Sequence, residues 1–199
     1  MSSFFAVFAI ALLAVLLVEL PDKTLVATLV LSTKYRHRPV LAGVAVAFAL
    51  QCVIAVTAGG LLHLLPHRML EAIVALLFAA GAVLLVKESL GPADDDPEAG
   101  GPAEVGASDR RIFGIAFGVL FAAEWGDASQ LATAGLVARY GEPVAIGIGA
   151  FVALVSVAFL AVGLGKVILR RVPLRLLHRL AAGLFGFFAV IAGMAALRG

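Results

Sequence analysis

Residues 4–32 read FFAVFAIALLAVLLVELPDKTLVATLVLS, one apolar run with Glu19, Pro21, Asp22, Lys23 and Thr24 set in its middle. At ~1.5 Å per residue a helix over this run is about 44 Å long, against a bilayer hydrocarbon core of ~30 Å. Such a helix has to tilt, kink or break. Pro21 marks the place, because it removes a backbone donor and collides with the carbonyl four residues earlier. The residues after the motif, Leu25 to Leu31, are too few to cross a membrane by themselves. A short re-entrant segment is the remaining alternative to a single broken span.

The pattern occurs twice. Residues 124–130 read EWGDASQ, again inside an apolar run. Both motifs place two carboxylates three residues apart, Glu19 with Asp22 and Glu124 with Asp127. A hydroxyl follows two residues later, Thr24 in one and Ser129 in the other. A shift of 105 aligns these residues and also Ala27 with Ala132, Thr28 with Thr133 and Tyr35 with Tyr140. A slip of one residue then pairs Pro39 with Pro143, Gly43 with Gly147 and Gly59 with Gly163. Gly126 stands where the first motif has Pro21, so each motif carries a helix-loosening residue near mid-span.

Composition agrees with a membrane protein. Of 199 residues, 62% are hydrophobic and only 14% are charged, against ~25% in soluble domains. Mean hydropathy is +1.08. The runs are too long and too little alternating for a β-barrel. Six spans are expected, over 4–32, 40–64, 70–90, 112–137, 143–169 and 174–197. The fold class is therefore an all-α polytopic membrane protein, built as two inverted three-helix repeats with kinked or broken first and fourth helices. An odd number of spans per copy turns the second copy upside down, and such repeats build transporters with a site near the midplane. Residues 1–90 form the first repeat, 91–111 an acidic linker and 112–199 the second repeat. The linker holds Asp94, Asp95, Asp96, Glu98, Glu104 and Asp109 among Gly, Pro and Ala, and reads as a solvated tether.

Charge fixes the expected orientation. Lys23 aside, eleven basic residues fall on the side of the first, third and fifth connections, from Lys34, Arg36 and Arg38 to Arg175 and Arg179. Only Arg68, Arg139 and Arg198 fall on the other. The positive-inside rule puts the rich side, with the linker, in the cytoplasm and both termini outside, in the cell's inner (plasma) membrane. The N-terminus lacks the basic start and cleavage pattern of a signal peptide, and is read as the first membrane helix. A net charge of +2 gives no argument for nucleic acid. The single Cys52 reads as a small core residue.

An ionisable group at membrane depth costs roughly 2.5–3.5 kcal/mol even on a lenient scale. Four acids in two matched sets, with Lys23 as the one base, are too many for structural salt bridges. On a helix, residues three apart share a face, so each acid pair is expected to point one way. If the motif helices face each other, four carboxylates converge on a site of oxygen donors. Thr24, Ser129 and the Gln130 amide supply neutral oxygens or orient the carboxylates. Such donors suit Mn²⁺, Ca²⁺ or Mg²⁺, and the absence of Cys or His from the motifs argues against zinc or copper(I). Clustered charges of one sign in a poorly hydrated place repel, so the ion-free site is expected to hold protons that an arriving dication displaces. Exchange of cation for proton follows. Trp125 reads as packing or a gate, and Gly114, Gly118, Gly183 and Gly186 as surfaces for close helix contact, a role also expected of Gly43, Gly59, Gly147 and Gly163.

The paired motifs, the three-plus-three plan and the acidic central loop resemble one family. It is the small cation/proton exchanger family long catalogued as an uncharacterised membrane family, with Golgi, chloroplast and bacterial members. Its signature is Glu-x-Gly-Asp-Lys/Arg-Thr/Ser, once per half. The resemblance covers essentially the whole chain. It implies a proton-coupled antiporter of Mn²⁺ or Ca²⁺, most simply one exporting Mn²⁺ from the cytoplasm, and it implies Glu19, Asp22, Glu124 and Asp127 as ion ligands supported by Thr24, Ser129 and Gln130. No cofactor and no enzymatic activity are expected; the partners are the cation, protons and the lipid bilayer. Pro21 and Ala128 depart from the signature, where it has glycine and a base. Alternatives are an exporter of small organic cations or amino acids, and a cation channel or uniporter. An intramembrane protease is disfavoured because His37, His63, His67 and His178 all fall at expected span ends.

Overall fold

The computed structural model describes residues 2–19, 23–90, 107–171 and 174–198. Every regular element among the described residues is an α-helix: α1 Ser2–Glu19, α2 Lys23–Lys34, α3 His37–Leu62, α4 His67–Leu90, α5 Asp109–Ala123, α6 Ala128–Tyr140, α7 Pro143–Arg171 and α8 Leu174–Arg198. In lipid every backbone polar group has to find its partner within the segment, and a helix does this. Three helices, α3, α4 and α7, are long and apolar enough to cross a membrane, and α5 with α6 makes a fourth if the pair counts as one span. Phe4–Glu19 and Ala182–Arg198 are shorter apolar helices. The helices stop where the sequence says they should. The last turn of α6 closes on Gly141, which takes the left-handed conformation at φ 66° and donates its N–H to the Val137 carbonyl at 2.9 Å. Pro143 then opens α7, where its missing N–H costs nothing.

Helix α1 ends at Glu19 and α2 begins at Lys23. Leu20, Pro21 and Asp22 lie outside the described residues, as does the whole linker up to residue 106. The break expected in the fourth span is present: α5 and α6 meet at an angle of 69°. Gly126 makes the turn at φ 74°, a conformation that costs glycine little.

Packing between the halves is reciprocal. On α3, a methyl group added at Gly43 would sit 2.5 Å from the Phe113 carbonyl oxygen and 3.0 Å from both Ala116 Cβ and Phe117 N of α5. On α7, the same addition at Gly149 would meet the Phe8 carbonyl oxygen at 2.7 Å, Ala11 Cβ at 3.1 Å and Leu12 N at 3.2 Å on α1. Phe8, Ala11 and Leu12 are carried onto Phe113, Ala116 and Phe117 by the shift of 105. By this packing the counterpart of Gly43 in the second half is Gly149, where the sequence alignment paired it with Gly147. Helix α6 packs on α3 as α2 packs on α7, and α4 packs along α8. At that last seam Phe78 meets Phe185 and Phe188 with ring centroids 5.5 and 5.1 Å apart.

Of the glycines expected at close contacts, Gly43, Gly59 and Gly147 make them, and Gly81 does so without having been expected. Gly59 abuts the Ala134 carbonyl of α6, and the Phe185 ring fills the notch at Gly81. Gly114, Gly118, Gly163, Gly183 and Gly186 have nothing within 4 Å of a notional Cβ. Large apolar side chains such as Leu13, Val53, Leu76, Phe159 and Phe187 point outward. An outer surface of this kind suits lipid and not water.

Candidate cation site

The end of α1 and the break between α5 and α6 bring the acids together. Glu19, Glu124 and Asp127 are all buried, and a ligand oxygen from each lies within 4.8 Å of the others. Thr24, at the start of α2, donates its hydroxyl to Glu124 Oε1 across the two halves. Ser129 is buried beside the same group, and Thr133 donates back to the Ser129 carbonyl at 2.8 Å. Asp22 lies outside the described residues, and so does the Lys23 side chain. Among the described residues, then, the acids and hydroxyls singled out from sequence converge on one place.

The second acid pair converges by a route different from the expected helical face. Helix α5 stops at Ala123. Glu124 follows with φ −88° and ψ 0°, while Asp127 is extended at φ −72° and ψ 167° as the residue that precedes α6. The carboxylates approach because the chain turns between them. Asp127 also sits at the positive end of the α6 dipole, and Glu124 among the last carbonyls of α5. The site thereby combines carboxylates with the helix ends at the α5–α6 break, a combination suited to binding a cation where water is scarce.

Glu19 is the most telling group. It is fully buried, it adjoins Thr24, Ser129 and Glu124, and neither of its oxygens has a hydrogen-bond partner among the described residues. An ionised carboxylate left so would be costly, so the geometry calls for a cation or a proton at this point. A narrow cleft opens against the site, lined by Gln51, Cys52, Glu124, Ser129, Gln130 and Thr133 with apolar neighbours.

Gln130 does not aim its oxygen at the acids. It accepts from the Gly126 N–H at 2.9 Å and donates to Gln51 Oε1 at 2.7 Å. Gln51 is the residue that sequence reasoning missed; no motif contains it, and an amide within the apolar run of α3 was the one available signal. Trp125 is exposed at the turn and packs on Phe121, ring centroids 5.4 Å apart.

A broken-helix membrane protein with buried acids from both halves at one point has the form of an ion transporter. The model of the divalent cation/proton antiporter family GDT1 matches the chain over residues 7–93 and 112–199, and the chain belongs to that family. A GDT1-like protein of Synechocystis is 30% identical over 196 residues, covering 92% of this chain and 95% of its own. A protein of Vibrio cholerae named "Putative manganese exporter" is 27% identical over 189 residues, 93% of this chain and 89% of its own. No solved structure matches the chain.

Proposed function

We propose that this chain is a proton-coupled antiporter that exports Mn²⁺ from the cytoplasm, with Ca²⁺ as the competing candidate. Glu19, Asp22, Glu124 and Asp127 are its ion ligands, with Thr24, Ser129 and Gln130 in support. The observation that carries this reading is the convergence of Glu19, Glu124 and Asp127, from both halves of the chain, on one buried point. An all-oxygen donor set favours hard dications, and the name of the Vibrio relative favours manganese among them. The same carboxylates hold protons when the ion has left, so one site serves both substrates in turn.

The architecture proposed is six spans in two inverted repeats, residues 1–90 and 112–199, joined by the linker 91–111. The reciprocal packing of Gly43 on α5 and Gly149 on α1 supports it. The distribution of basic residues supports a plasma-membrane orientation with the linker in the cytoplasm and both termini outside.

The test is purified protein in liposomes under an imposed pH gradient, with Mn²⁺ and Ca²⁺ uptake read by an internal indicator. Uptake that depends on the gradient and is lost in Glu124→Gln is the expected result. Uptake indifferent to the gradient would mean a channel or uniporter. No uptake of either ion would favour an exporter of organic cations.

A further inference from the structure

Breaking a helix frees backbone groups, and those freed between α5 and α6 are taken up by two glutamines. In an unbroken helix the Trp125 N–H would bond to the Phe121 carbonyl; here it bonds to the Ala122 carbonyl at 3.3 Å. The Phe121 carbonyl instead accepts from Gln51 Nε2 at 2.8 Å. At the turn itself the Gly126 N–H donates to Gln130 Oε1 at 2.9 Å, and Gln130 Nε2 donates to Gln51 Oε1 at 2.7 Å. One continuous relay therefore runs from the end of α5 through α3 to the turn, with Gln51 buried at its centre. The other half uses different chemistry at the equivalent places. A shift of 105 carries Leu25 onto Gln130, and the packing shift of 106 carries Gln51 onto Val157. Leu25, Val157 and Ala161 form a small buried apolar cluster of their own.

We propose that Gln51 is a positioning residue of the cation site: its amide fixes the α5–α6 turn, and so the spacing of Glu124 and Asp127, from the rigid helix α3. The inference rests on the cation-site reading above. It adds an asymmetry between the halves: hydrogen bonds hold the α5–α6 turn, while the equivalent positions Leu25 and Val157 pack in an apolar cluster. The relay satisfies the carbonyl and N–H that the break frees, which an apolar clamp would leave unpaired.

The test copies the first half's chemistry into the second with Gln51→Val and Gln130→Leu together, and compares it with Gln51→Met, which keeps the side-chain length. Two readings are taken: amide hydrogen exchange of the peptide spanning residues 121–131, and the concentration dependence of Mn²⁺ uptake by proteoliposomes. The expected result in both variants is exchange at that peptide faster by about tenfold, with unchanged protection in α4 and α8. The apparent KM for Mn²⁺ rises while the maximal rate falls less. If the paired variant fails to fold, Gln51→Met carries both readings alone. Wild-type exchange at 121–131, or a wild-type KM, would overturn the proposal. Should the wild-type protein not move Mn²⁺, the functional reading fails, and the exchange measurement still decides whether Gln51 holds the turn.

Discussion

At the residue scale the account turns on a few oxygens. Thr24 joins the halves through its bond to Glu124, so Thr24→Val is expected to weaken Mn²⁺ binding by about three- to tenfold, and Thr24→Ser to keep it. Binding of Mn²⁺ to the purified protein, followed by the ion's paramagnetic resonance signal, checks both. Glu19→Gln keeps the shape of a buried group and removes its charge; it is expected to abolish transport while the protein still inserts and folds. The acids and hydroxyls were legible in sequence because ionisable groups stand out against an apolar run and because they occur twice. Gln51 was not legible. Its partners Phe121 and Gln130 lie far along the chain, and an isolated amide gives no periodic or repeated signal. The conformation of the turn was also hidden, since Glu124 and Asp127 at a spacing of three fit a helical face as well as they fit the bend that the chain adopts at Gly126.

At the scale of helices, packing makes separable predictions. Gly43→Ala forces a methyl group against the Phe113 carbonyl and is expected to cost about 1–3 kcal/mol. Gly114→Ala meets nothing within 4 Å and is expected to be neutral or mildly stabilising through helix propensity. Thermal unfolding in detergent compares the two. The far end of α6 offers a second case. Arg139 there bonds to the buried Glu71 of α4 at 2.9 Å, and His63 Nδ1 lies 2.7 Å from the Ala138 carbonyl. Glu71→Leu leaves Arg139 without this partner and is expected to cost about 1–3 kcal/mol, part of which Arg139→Met restores. The same unfolding measurement reads it. Helix positions were well marked in sequence, because apolar runs bounded by Pro, Gly and charge allow little else in a bilayer. Which glycines sit at contacts was not marked, since Gly43 and Gly114 look alike until the partner helix is in place.

At the scale of the whole molecule, both halves of the chain supply acids to one buried point. Exchange requires that this one point be exposed to the two sides of the membrane in turn, and that it move charged either with the cation or with protons. Reciprocal packing of α1 on α7 and α5 on α3 gives the halves equivalent contacts about which such a change could be balanced. The most direct measurement reverses the usual assay. A Mn²⁺ gradient is imposed on proteoliposomes at equal pH, and the internal pH is followed. The account predicts proton movement opposite to that of Mn²⁺, abolished in Glu19→Gln and in Glu124→Gln. Mn²⁺ movement with no accompanying pH change would contradict it.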